Sequence, residues 1–230
     1  MEAQVERLVD KTWSKYQALA PGQRLLIGIA GIPGSGKTTL SQTVSQRLND
    51  RAADEPATFV PMDGFHLTRA ALSAMPDPTL AHARRGAAFT FDAPKFLALV
   101  QALRKSPAGP APVLAPSFDH AVKDPRDDDI VVLPSHRVVL LEGNYMALDE
   151  PVWRDAAALL DELWFVQVDD DVARRRLRER HVRAGIARHL EEADRRVTEN
   201  DLVNGAEIVA RRLPVDEVVG SREDDSWVHE

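Results

Sequence analysis

Arg24-Leu25-Leu26-Ile27-Gly28-Ile29-Ala30-Gly31-Ile32-Pro33-Gly34-Ser35-Gly36-Lys37-Thr38 is the stretch that decides the fold. Its first seven residues are a short apolar run, the pattern of a strand buried on both faces. The next eight match the spacing G-x-x-x-x-G-K-[ST], in which glycines let the backbone turn tightly and aim N–H groups at anionic oxygens. A helix is predicted from near Lys37 to about Leu48, and its N-terminal dipole also favours phosphate. Gly31, Ile32, Pro33, Gly34, Ser35, Gly36, Lys37, Thr38 and the adjoining Thr39 are the candidate nucleotide-binding residues. In this pattern Lys37 reaches the β and γ phosphates, and the Thr38 hydroxyl holds Mg²⁺. A chance glycine-rich turn is the competing reading, and the strand before it and helix after it argue against that.

Outward from this loop, apolar strands alternate with helices. Val5, Leu8, Val9, Trp13 and Tyr16 fall at helical spacing within a leading helix over 2–20, ended by Pro21-Gly22. Strands are predicted at Ala57–Met62, Arg137–Leu141, Leu163–Val168 and Val215–Val219, and helices at Phe96–Leu103, Val152–Leu160 and Thr198–Arg212. Asp169-Asp170-Asp171 is expected to cap the arginine-rich helix that follows. The proline-rich stretch Ser106–Pro134, with the acidic run Asp127-Asp128-Asp129, is expected to form extended strands and loops at the edge of the sheet. Such alternation implies an α/β fold, a three-layer sandwich with a mostly parallel sheet and helices on both faces.

In an open sheet of this kind ligands sit beyond the carboxyl ends of the strands. Asp63 and Glu142 both end strands beside the phosphate loop. In phosphoryl transfer one carboxylate can accept the proton of an attacking hydroxyl and another can organise Mg²⁺. Turn capping is the competing role for each. Val172–Arg188 holds seven arginines against one acid, Glu179, and Arg176, Arg180 and Arg183 share a helix face. A transition state with charge on its equatorial oxygens is a natural counter-anion, and a solvated helix face is the bland alternative.

The 230 residues carry 44% apolar and 28% charged side chains, no cysteine and a net charge of −7. That is the composition of a globular chain able to bury a core, with no disulfide or thiolate metal framework. The acidic balance argues against nucleic acid as the main partner. No apolar run is long enough for a membrane span, and the charged first twenty residues do not read as a secretory signal, so a cytoplasmic location is expected. One domain over 1–230 is expected, with a leading helix over 1–22, a substrate-side insert over about 66–135 and a lid over about 172–190.

Gly31–Thr39, Met62-Asp63-Gly64-Phe65-His66, Arg84-Arg85-Gly86, Phe91-Asp92 and Leu141-Glu142-Gly143 occur in this order. Together they resemble the P-loop kinase family of uridine kinase, phosphoribulokinase and bacterial-type pantothenate kinase. The Asn-Tyr after Glu142-Gly143 and the segment Phe118-Asp119-His120 are most similar to the branch of fructose-transport-system kinases. The resemblance covers roughly residues 24–220. It implies a P-loop NTPase-type fold and ATP-dependent phosphorylation of a small-molecule alcohol, with Asp63 as general base. A second copy of the chain is a further expected partner. Related kinases carry a lid pattern that opens with Arg-Asp and closes with Arg-Gly, Arg-Asp-x-x-x-Arg-Gly, whose counterpart here, one residue shorter, is Arg180-His181-Val182-Arg183-Ala184-Gly185. His181 and Ala184 depart from it, and Arg183, one position early, is the candidate substitute. The substrate-side candidates are His66, Arg84, Arg85, Asp92, Asp119, His120, Asn200 and Asn204. Local backbone capping competes for His66, Asn200 and Asn204, an exposed turn for Asp119-His120, and an ordinary surface role for Arg85. A non-catalytic nucleotide-binding regulator of a transporter is the rival function. Neither the Asn-Lys-x-Asp guanine motif nor the Leu-Ser-Gly-Gly-Gln signature is present, which disfavours GTPases and transport ATPases.

Overall fold

The computed structural model describes residues 2–105 and 111–222. Helix α1 (Glu2–Gln17) precedes strand β1 (Leu25–Gly31), the phosphate loop and helix α2 (Lys37–Asn49). Strand β2 (Ala57–Pro61) runs into a 3₁₀ turn at Met62–Phe65. Short helices α3 (Arg69–Ser73) and α4 (Pro78–Ala83) follow, then α5 (Ala93–Lys105), and strands β3 (Val113–Asp119), β4 (Asp124–Val132) and β5 (Val138–Glu142). The chain continues through α6 (Trp153–Ala157), β6 (Glu162–Gln167), α7 (Asp170–Arg183), α8 (Leu190–Arg196), a π turn (Val197–Asp201), α9 (Leu202–Ala210) and β7 (Glu217–Gly220).

Five strands form one parallel sheet in the order β2-β5-β1-β6-β7. The period-2 alternation of β1 divides the core between two faces. Leu25, Ile27 and Ile29 pack with Val5, Leu8 and Val9 of α1 and Leu40, Val44 and Leu48 of α2. Leu26 and Ala30 pack on the other side with Phe96 and Val100 of α5 and with Tyr145 and Trp153. Gly28 leaves room on that side for two leucine methyls, which a Cβ would meet at 2.5 Å (Leu160) and 2.9 Å (Leu163). Covered on both faces, the sheet needs the continuous apolar runs that the sequence supplies.

The stretch 111–134 does not border this sheet, contrary to expectation. It forms a separate antiparallel hairpin, β3 with β4, with a register shift between Ala115 and Ser117. The rest of the expected extended stretch, Ser106–Pro110, lies outside the described residues. A two-stranded ribbon leaves each strand an unpaired edge, which accommodates Pro116 and Pro125 and leaves the Asp127–Asp129 run in solvent. The hairpin seats on the turn after β2, where a Cβ on Gly64 would come within 2.0 Å of the Pro116 carbonyl oxygen. Two further expectations shift. Helix α6 stops at Ala157 rather than Leu160, and the C-terminal helical stretch begins at Leu190, not Thr198, because His189 Nδ1 accepts from the Glu192 amide and caps it. Asp169 does precede α7 but makes no side-chain capping bond.

Candidate active site

Parallel pairing brings the carboxyl ends of β1, β2 and β5 together. Ile29 pairs with Glu142, and Glu142 with Pro61, so the phosphate loop, Asp63 and Glu142 leave the sheet side by side. Within the loop Gly34 and Gly36 have φ of +77° and +93°, a region side chains rarely adopt. Gly34 has a second constraint: α7 lies across it, and a Cβ would meet the Ala173 carbonyl oxygen at 2.9 Å.

Lys37 is buried at the first turn of α2, and its ammonium donates to the Ile32 carbonyl at 3.0 Å. Burial pushes its pKa down to about 8, partly offset by the negative charge of Glu142. Glu142, also buried, is pushed up to about 7 by desolvation, with Lys37 opposing. Thr38 Oγ1 donates to Glu142 Oε1 at 3.0 Å. Ser35 Oγ is buried in the loop without a hydrogen-bond partner. Asp63 and Arg180 are both exposed, and both act electrostatically on Lys37 and Glu142. The centre therefore holds a buried cation and a buried acid, each disfavoured in its charged form by burial.

Arg176 donates to the Gly34 carbonyl at 3.3 Å, to Ser221 Oγ at 2.9 Å and to the Arg222 carbonyl at 3.1 Å. It thus ties the loop to the segment after β7. Ser221 was not legible as a site residue, because nothing local marks it; parallel β6–β7 pairing carries it there. Arg183 is exposed in the last turn of α7. His181, the departure from the lid pattern, is buried, with Nε2 2.7 Å from Asp201 Oδ2 in the π turn.

Beside Asp63, His66 Nδ1 donates to the Asp63 carbonyl at 2.9 Å, and its ring lies 4.0 Å from that of Phe91 and 4.9 Å from that of Phe118. Burial lowers the His66 pKa; Arg85 and His120 lower it further against the pull of Asp63. His120 is exposed and meets the Phe118 ring edge-on, with centroids 5.2 Å apart. Asp119 accepts from the amides of Ala121 and Val122, which hold its carboxylate below its usual range, and no hydrogen bond joins it to His120 among the described residues. The two share the turn between β3 and β4. Asp92 accepts from the Lys95 amide and caps α5. Arg85 donates to the Lys123 and Leu67 carbonyls and to Asp124. Asn200 stands in the π turn just before α9 and Asn204 in the first turn of α9, near a helix start as expected, but neither side chain caps the helix: their Oδ1 atoms accept from Arg84 at 3.1 and 2.7 Å.

A parallel sheet with a phosphate loop after its central strand, and strand-end carboxylates beside it, defines a P-loop phosphotransferase. Residues 26–188 match the phosphoribulokinase/uridine kinase family, and the chain belongs to that family of ATP-dependent kinases. It is 52% identical over 159 residues to the ATP-dependent kinase-like protein notR' of Aspergillus versicolor, covering 69% of this chain and 92% of that one. It is 43% identical over 182 residues to a Schizosaccharomyces pombe protein provisionally named uridine kinase C227.14, covering 79% and 77% respectively. Among solved structures it is similar to a protein of Silicibacter sp. TM1040 provisionally described as a fructose transport system kinase, with 35% identity, TM-score 0.80, and 93% and 98% coverage. YFH7 of Saccharomyces cerevisiae shares the fold at TM-score 0.81 and 22% identity, with 96% and 99% coverage. Among the described residues no helix is long and apolar enough to cross a membrane.

Proposed function

We propose that this protein transfers the γ-phosphoryl group of ATP to a hydroxyl of a small molecule, with a sugar as the leading acceptor. The observation that carries the reading is the convergence of buried Lys37, the Thr38–Glu142 pair and exposed Asp63 at one end of the sheet. The orphaned Ser35 hydroxyl and the inward N–H groups of the loop suit the phosphate oxygens. Thr38 and Glu142 offer two hard oxygens 3.0 Å apart, a donor set that suits Mg²⁺ shared with phosphates. Bound there, Mg²⁺ would neutralise charge on the phosphates. Lys37 holds the transferring group, Asp63 takes the proton of the attacking hydroxyl, and His66 positions the acceptor beside it. Arg180, at the end of a lid formed by α7, meets the charge that develops in the transition state.

The sugar reading leans on the Silicibacter relative, and the S. pombe relative keeps a nucleoside in play. A non-catalytic nucleotide sensor would not need an exposed carboxylate facing the phosphate site, and Asp63 is one. The test is a coupled ADP-release screen over sugars, nucleosides and pantothenate-like alcohols with Mg-ATP. Acceptor-dependent ADP release, abolished in Asp63→Asn, is expected. Tight ATP binding with no acceptor-dependent release anywhere in the panel would favour the sensor.

A further inference from the structure

The guanidiniums of Arg84 and Arg196 lie beside the Arg84-Arg85-Gly86 turn, and that of Arg85 leaves the same turn toward Leu67 and Asp124. Arg84 is held by the side-chain oxygens of Asn200 and Asn204, both buried. Arg196 donates to the Arg85 carbonyl at 3.5 Å, and its Nε is buried without a partner. Asn200 donates to that same carbonyl at 3.0 Å. Only Arg85 has a carboxylate, Asp124 at 3.2 Å, and its own Nε is also unpartnered. Among the described residues no acid lies within ion-pair distance of Arg84 or Arg196. Asp201, next to Asn200, is engaged with His181, and Glu207 with Arg211.

Amide and carbonyl oxygens orient a guanidinium without neutralising it, so this cluster keeps a net positive charge in a chain of net charge −7. Orientation without neutralisation is what an anion site needs, because planar forks aimed in advance can take an oxyanion with two parallel bonds. At its centre Gly86 adopts φ +105°, and nothing lies closer to its absent side chain than the two asparagine amides at 3.9 Å. The cluster also adjoins the site: Arg85 bonds the carbonyl of Leu67, next to His66, and acts electrostatically on His66, whose ring nitrogen bonds Asp63.

We infer that Arg84, set by Asn200 and Asn204, and Arg196, held on the Arg85 carbonyl, bind an oxyanion carried by the acceptor, so the substrate class is an anionic alcohol, a hydroxy acid or a sugar phosphate. This rests on the kinase reading above. Neutral sugars and nucleosides would leave the two guanidiniums without a counter-charge.

Two measurements test it separately from that reading. The first is calorimetric titration of inorganic phosphate into protein saturated with a non-hydrolysable Mg-ATP analogue, so that the phosphate loop is filled. Wild type should bind one phosphate, Arg196→Gln should bind it roughly tenfold or more weakly, and Arg196→Lys should recover part of the loss. No binding by wild type, or equal binding by Arg196→Gln at an unchanged melting temperature, overturns the proposal. The second compares matched acceptors in the ADP-release assay: glycerol with glycerate, and fructose with fructose 6-phosphate. A preference of at least about tenfold in kcat/KM for an anionic member, lost in Arg196→Gln, is expected, and the member preferred separates carboxylate from phosphate. Preference for the neutral members overturns the inference. Phosphate binding with no acceptor turned over would leave the anion site standing and count against the kinase reading.

Discussion

Lys37→Met should stabilise the nucleotide-free protein while destroying turnover. The ammonium is buried, and its pKa falls from an ordinary 10.5 to about 8. That depression means the charged form costs about 3 kcal/mol in the folded chain. Methionine keeps the stem and removes the charge, but it forfeits the bond to the Ile32 carbonyl, a loss of about 1–2 kcal/mol. Glu142, no longer held down by Lys37, rises further and takes a proton, so no buried anion is stranded. The net gain is roughly 1–2 kcal/mol near neutral pH, or about 2–8 °C in Tm for a chain of this size. Its pH dependence has a definite sign. The unfolded ammonium stays charged up to about 10.5 while the folded one discharges above about 8, so the cost is full below pH 8 and fades between 8 and 10.5. Glu142 runs the other way: its cost is absent below 4.5 and full above about 7. The two windows overlap between 7 and 8, where binding of a polyanion relieves the strain on Lys37. Thermal melts of both proteins at pH 7 and pH 10, with ADP release at pH 7, check this. A lower Tm for Lys37→Met at pH 7, or a gain as large at pH 10, would refute the account of a strained phosphate site.

Asp63→Asn keeps the size of an exposed side chain and removes the proton acceptor. Turnover should fall roughly 10²–10⁴-fold with Mg-ATP affinity nearly unchanged, and full turnover with the true acceptor would make Asp63 a structural residue. Arg180→Ala should cut kcat strongly and leave the ATP dissociation constant within a few-fold, because its charge matters most when the lid closes. Arg188→Ala is the control, and equal, small effects in both would reduce the arginines to a solvated face. His181→Asn and Asp201→Asn should each lower the melting temperature, and their combined effect should fall short of the sum because the 2.7 Å contact is shared. Additive effects in the four-way comparison of melts would show that the two residues act independently.

What could be read from the sequence was whatever depends on local pattern. The phosphate loop is a contiguous string whose backbone conformation is dictated by Gly34 and Gly36, so its position and the helix after it follow from spacing. The parallel sheet follows from apolar runs too long and too uniform to be half-exposed, as β1 and β5 are, each buried throughout. The hairpin at 113–132 was misplaced because proline content reports only that a strand has a free edge, not which sheet it borders. Asn200 and Asn204 look like caps in sequence, since asparagine favours helix starts. Their actual partner is a guanidinium 116 and 120 residues away in sequence, and no local rule reaches that far. The lid departure follows the same logic. His181 looked like a lost contact beside Arg180, yet one helical position turns a side chain by about 100°. That rotation puts Arg180 in solvent by the phosphate loop and His181 in the interior, where it meets the acid of the π turn. A π turn inserts one extra residue per turn and is itself common at functional sites. Here it sets Asp201 against His181 of α7 and the neighbouring Asn200 against Arg84. Helix α7, which crosses the phosphate loop, and the arginine cluster are therefore joined through adjacent residues of one irregular turn, an arrangement that exists only once the helices have packed.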